Sequence, residues 1–187
     1  MLFCSPSYHQ ITSYTKSDSS GQDEPVSVQE CKDYMRIEGW TESEATEFTF
    51  DDTLIAELIT SAREFIETAA NISLLNHEME VILTNCDRIE LPFSPIDEIT
   101  TVYDSNDDEI DSDLIKTVGN ERKFIVTPVG WDMKVVYTTT AITDKRPLVD
   151  IKRIVAALYE NRGMAMEEVV QSLSLMIASY SRKSPVA

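Results

Sequence analysis

The segment DSNDDEIDSD, starting at Asp104, has the spacing closest to a ligand set in this chain. Asp104, Asn106 and Asp108 fall on positions 1, 3 and 5 of a calcium-binding loop, where alternating oxygens close on a hard cation. The same loop needs Gly at position 6 for its sharp bend and a bidentate Glu at position 12, and here those are Glu109 and Ile115. The favoured reading is therefore a solvated hairpin turn. A nucleophile needs a base within reach, and the two imidazoles are poorly placed. His9 lies in a polar N-terminal segment, and His77 stands at the start of a strand-like run between Asn76 and Glu78, as a surface or capping group. Cys4, Cys31 and Cys86 are odd in number and far apart, with no CxxC, which argues against a zinc site or a disulfide framework. No glycine spacing makes a phosphate cradle, no HExxH occurs, and no carboxylate pair stands out for glycoside chemistry. The expectation is a protein with no catalytic residues, no metal and no cofactor.

A second cluster is Tyr159-Glu160-Asn161-Arg162, four hydrogen-bonding side chains at a helix end followed by Gly163. Successive helical residues point about 100° apart, so the four cannot converge on one substrate atom. Tyr159 extends the apolar stripe of its helix and is expected half-buried with its hydroxyl paired. Arg162, three residues on, suits the carbonyls exposed in a last helical turn, and is expected to be the main polar clasp of an elbow between two helices. Asn161 is expected to bond backbone at the turn, with Glu160 facing away toward a base on a neighbour. The plain alternative is a solvated helix end.

Bulk properties narrow the function further. The 187 residues suffice for one domain with a real core. No apolar run approaches the roughly 18 residues that span a bilayer, and MLFCSPSYHQ lacks the basic start of a signal peptide. The expectation is a cytoplasmic, non-membrane protein. A net charge of −17 repels phosphates and argues against a generic nucleic-acid surface. The charge is uneven. Residues 97–113 carry eight acids and no base, whereas residues 145–183 carry seven bases against four acids. Acidic and basic ends on one small chain suit head-to-side packing of identical copies.

The elements that must position these groups follow from pattern. Residues 1–24 are polar and poor in aliphatics, and are expected to form an arm held by another chain; residues 25–187 form the domain. Ser27 with Glu30 makes a capping box for a first helix expected to end at Gly39. Asp51 or Asp52 is expected to cap a longer helix with its stripe at Leu54, Ile55, Leu58, Ile59, Ala62, Phe65, Ile66 and Ala69, closed by Asn71. Short runs follow, EMEVILT, RIELP, IDEITTVYD, DLIKTV, KFIVTP and MKVVYTTTAI, broken by turn residues such as Pro128-Val129-Gly130. Pro147 opens a third helix with Leu148, Ile151, Ile154, Val155 and Leu158 on one face. A last helix carries Val169, Val170, Leu173, Met176, Ile177 and Tyr180. The expected fold is α+β, mainly α: a helical bundle of two N-terminal and two C-terminal helices with a small antiparallel β-element inserted between them.

The order VSVQECKDYMRIEG, DDTLIAELITSAREFIETAAN, IELPFSPIDEITTVYDSNDDEI, VGWDMKVVYTTT and RPLVDIKRIVAALYENRG resembles the head–tail connector (neck adaptor) proteins of tailed bacteriophages and related gene-transfer particles. The sharpest parts are L-P-x-x-P-I, G-W followed by V-x-Y-T, and a P-L-x-x-I-K helix ending in Y-E-N-R; the family often has Gly where this chain has Asn71. The resemblance implies a structural virion protein, not an enzyme. It would assemble in the host cytoplasm into a homo-oligomeric ring, twelve-fold to match the portal, and sit in the neck between head and tail. Its partners would be itself, the portal protein and the next neck or tail-terminator protein, with DNA passing through unbound. The resemblance places candidate interface residues at Tyr159, Glu160, Asn161, Arg162, Val169, Val170, Leu173, Met176, Ile177, Tyr180 and Arg182, the last helix docking in a portal groove or packing within its own chain. Asp104, Asp107, Asp108 and Glu109 are candidates for the channel lining or its rim. An acidic DNA-mimic inhibitor, or another soluble acidic binding protein, is the competing reading.

Overall fold

The computed structural model describes residues 10–17, 22–36, 48–111, 116–119, 123–161, 168, 169, 171 and 177–180. The chain divides into two compact units, each made of two separate stretches.

The first unit is a sheet. β1 (Gln10–Lys16), β2 (Glu78–Glu90), β5 (Phe124–Thr139) and β3 (Ile96–Asp104) lie side by side in that order, with β4 (Lys116–Val118) also on β5. Every pairing is antiparallel. Alternation dictates which face is buried. Met79, Val81 and Leu83 of β2 and Met133, Val135 and Tyr137 of β5 are buried, while Glu78, Glu80, Ile82 and Asp132 between them are exposed. With Ile89, Leu91, Phe93, Ile96, Val102 and Ile125 the inward side chains form a continuous hydrophobic core belonging to the sheet alone.

This corrects the expected fold. The sheet is not a small insert in a helical bundle, because β2 and β5 run for 13 and 16 residues and enclose their own core. Runs that read as separate short strands are single long ones. Pro128-Val129-Gly130 does not turn the chain but lies inside β5, and the ladder absorbs the irregularity as register shifts at Cys86. Part of the polar N-terminal segment is also a strand: β1 pairs with β2 from Gln10 opposite Thr84 to Lys16 opposite Met79. Edge strands bury little, so their sequences need not be apolar.

The second unit is helical. α1 (Val28–Met35) opens with the expected capping box: Glu30 N–H donates to Ser27 Oγ at 3.1 Å and Ser27 N–H donates to Glu30 Oε2 at 2.9 Å. It ends at Arg36, whose left-handed φ of 55° stops the helix three residues before Gly39. α2 (Phe48–Ala70) starts before the expected Asp51 or Asp52 cap and places Asp51 in its first turn, where an acid suits the helix dipole. Asn71 closes α2 at φ 56°, doing the work of a glycine. α3 (Arg146–Glu160) has Pro147 in its first turn and buries Ile151, Ile154, Val155 and Leu158. α3 packs against both α1 and α2. Helical residues recur at 168, 169, 171 and 177–180.

Candidate functional site

Two of the motif pieces that stand apart in sequence, L-P-x-x-P-I and V-x-Y-T, come together in the sheet unit, while the third, P-L-x-x-I-K, is part of α3 in the helical unit. Leu91-Pro92-Phe93-Ser94-Pro95-Ile96 is buried throughout. Tyr137, from V-x-Y-T, donates its hydroxyl to the Pro92 carbonyl at 2.9 Å, and burial raises its pKa above the ordinary tyrosine range. Thr140 N–H donates to Pro95 O at 3.0 Å, and Thr139 N–H to His77 O at 2.8 Å. Phe93 has φ 55°, uncommon for a bulky side chain. Its ring is held by an edge contact from Tyr14, centroids 5.3 Å apart, and by the Lys16 ammonium 5.7 Å from its centroid. These residues build a scaffold. None presents a nucleophile with a base.

The acidic segment forms the turn after β3. Asp104 Oδ1 accepts from Asn106 N at 2.7 Å and Asp108 N at 3.0 Å, and Asp107 takes φ 63°. The Asp108 and then the Asn106 backbone N–H hold the Asp104 carboxyl below its usual range. Asp107 Oδ1 lies 2.6 Å from Lys134 Nζ, and that ammonium also sits 4.6 Å from the Tyr103 ring centroid. Asp107, Asp108 and Glu109 are exposed, whereas Asp104 is half-buried and committed to the turn.

In the helical unit, Tyr159 is half-buried and donates its hydroxyl to Asp51 Oδ2 at 3.0 Å, tying the end of α3 to the start of α2. Asn161 caps α3, its Nδ2 donating to Ala157 O at 3.1 Å, and Glu160 is exposed. Arg162, Val170, Leu173, Met176 and Arg182 lie outside the described residues. Val169, Ile177 and Tyr180 are buried within the chain itself. Tyr180 donates its hydroxyl to Asp150 Oδ2 at 3.0 Å, and Asp150, 2 % exposed, also accepts from Arg153 at 3.0 Å. Tyr180 carries a raised pKa from burial and then from the neighbouring Asp150 charge.

Sequence reasoning missed the buried charges of α2. Arg63 is 1 % exposed and Glu67 0 % exposed. Arg63 donates to Glu24 Oε2 at 2.8 Å and to Glu67 Oε2 at 2.9 Å, and Glu67 Oε1 accepts Leu74 N–H at 2.7 Å. The available signal was position: both residues follow stripe positions, beside Ala62 and Ile66. Among the described residues no group of three or more His, Cys, Asp or Glu is arranged to hold a metal. No helix there is long and apolar enough to cross a membrane.

No family model matches this sequence, and no curated protein does. Solved structures do. A chain from the neck of an empty gene transfer agent particle, computed with C6 symmetry, matches at TM-score 0.65 and 15 % identity, covering 94 % of this chain and 98 % of the other. The fold is shared nearly end to end. A chain from the virion of the native gene transfer agent matches at TM-score 0.63 and 17 % identity, over 92 % and 97 % of the two chains. A chain from the native particle's neck, computed with C12 symmetry, matches at TM-score 0.54 and 17 % identity, over 75 % and 89 %.

Proposed function

We propose that this protein is a non-enzymatic structural component of the neck of a tailed-phage-like particle. The observation that carries this reading is the shared fold, extending over 94 % of this chain and 98 % of a gene transfer agent neck chain. It forms a homo-oligomeric ring on the portal protein, continues the DNA channel and presents a platform to the next neck or tail protein. The similar gene transfer agent necks were computed with C6 and C12 symmetry, which supports a ring, and a twelve-fold ring would match a twelve-fold portal.

The physical chemistry supports a conduit. A net charge of −17 opposes adhesion of a polyanion, since bound phosphates would have to exchange counterions with cationic side chains that are in the minority here. The exposed acids Asp107, Asp108 and Glu109 are candidates for the lumen or its rim. Val169, Ile177 and Tyr180 serve the chain's own packing, so portal docking through the last helix would use its remaining face. Sedimentation of the purified full chain, alone and with portal, tests the reading. A large particle in either sample is expected; a single chain in both overturns it.

A further inference from the structure

The solvent-facing side of the sheet is apolar at its centre. Register puts Ile82, Lys134 and Tyr103 in one row across β2, β5 and β3, and Glu80, Val136 and Thr101 in the next. Ile82 is 39 % exposed, and Val136 and Tyr103 are half-buried. Lys134 stands between Ile82 and Tyr103 with its ammonium over the Tyr103 ring, so its stem continues the apolar strip. The rim is acidic. Glu78, Glu80 and Asp132 alternate onto this side and are exposed. Asp107, held by Lys134, brings the exposed acidic turn with Asp108 to the Tyr103 end.

The helical unit carries a surface of opposite sign. α3 buries Ile151, Ile154, Val155 and Leu158 and turns Lys145, Val149, Lys152 and Arg153 the other way. Val149 is 42 % exposed. Arg153, one turn on, bonds both the buried Asp150 at 3.0 Å and the side chain of Tyr34 on α1, itself 45 % exposed. Val149 and Tyr34 therefore belong to one surface, with Arg153 between them. Arg146 is matched by Asp144, Lys152 by Glu30 and Arg153 by Asp150, and the exposed Lys145 leaves the balance positive. In a chain of net charge −17, residues 145–153 are the described stretch richest in bases.

Each surface has the apolar centre and charged rim of an interface, and the signs choose between the pairings. Two sheet faces together would set acids against acids. Two α3 surfaces together would set bases against bases. A helical surface laid on the sheet face joins opposite signs and makes a common layer arrangement. It is also a contact between two different patches, the kind that closes into a ring under rotation.

We propose that the Ile82–Val136–Tyr103 face of one copy packs on the Val149–Tyr34 surface of the next, as one subunit junction of the ring. This rests on the ring reading above and names the surfaces that would meet. Two variants of the full chain test it. Ile82→Arg puts a cation in the sheet face, and Val149→Glu puts an acid in the helical surface. Both sites are exposed, so circular dichroism of each variant should match the unaltered chain. Where the unaltered chain sediments as a ring, each variant alone should sediment as a single chain. Mixed in equal amounts the two should associate, because one keeps its helical surface intact and the other its sheet face. Should either variant misfold, Glu80→Lys or Lys145→Glu, at exposed rim positions, takes its place with the same two readings. A ring that forms normally from either variant, or a mixture in which both stay single, overturns the junction and leaves the ring. An unaltered chain that stays single with and without portal overturns the ring reading and this junction with it.

Discussion

Arg63 and Glu67 sit one turn apart on α2 with Nη1 2.9 Å from Oε2, and their side chains are 2 % and 0 % exposed. Glu24 closes the second side of the guanidinium and Leu74 N–H the second oxygen of Glu67. The pair therefore fastens both the segment before α1 and the chain leaving α2 to one helix. Removing one partner of such a pair strands a buried charge, so Arg63→Ala is expected to cost about 3–5 kcal/mol. Arg63→Met with Glu67→Gln, which removes both charges and keeps an acceptor for Leu74, should recover more than half of that in urea unfolding. Equal losses in both would contradict this account.

Tyr159→Phe should cost about 1 kcal/mol, the usual worth of one intramolecular hydrogen bond. Asp51→Ala should cost a similar amount, and the double variant less than the sum, because both remove the same Tyr159–Asp51 bond. Thermal unfolding of the three variants measures the coupling; strict additivity would show that the bond contributes nothing.

Cys31 is fully buried, and burial pushes its thiol from 9.0 up to about 11. At pH 8 a thiol reagent should leave Cys31 unmodified by mass spectrometry in the folded chain and label it in urea. The folded state holds this proton more tightly than the unfolded one. Its contribution to stability is therefore complete below pH 9 and lost as pH rises toward 11. Cys31→Ser should flatten that alkaline decline.

Asp104 behaves in the opposite sense. Its carboxyl titrates below the ordinary 3.8 because backbone N–H groups of Asp108 and Asn106 favour the charged form. Its contribution is present above that value and disappears as pH falls through the folded midpoint. A carboxyl-carbon NMR titration should place Asp104 below 3.8, and a midpoint at or above 3.8 would count against the turn described here.

What was legible in the sequence was local. The Ser27–Glu30 box, the Ile55–Ile59–Ala62–Ile66 stripe, the left-handed Asn71 and Pro147 at a helix start each depend on a few adjacent residues, and each is found. The extent of the sheet was not legible. Pro128 and Gly130 carry turn chemistry, yet long pairing with β2 carries β5 straight through them. β1 was hidden because its strand character comes from a partner 63 to 74 residues away rather than from its own Ser and Thr. For the candidate site, the hydroxyl of Tyr159 could be anticipated from the apolar stripe, but its partner Asp51 could not, since no local spacing connects them.

The chain order of the two units has a consequence for synthesis. The sheet joins Gln10–Lys16 to residues after Leu75, and the helical unit joins α1 and α2 to α3. A ribosome that has released residue 142 has therefore delivered every strand of the sheet, while α2 still waits for Ile151, Ile154 and Val155. During that interval the α2 surface that will meet α3 is uncovered apolar helix, the kind of surface that chaperones engage and that aggregates in crowded lysates. The helical unit must be the last to close. A translational pause anywhere between α2 and α3, including one shortly after β5, would lengthen that exposure.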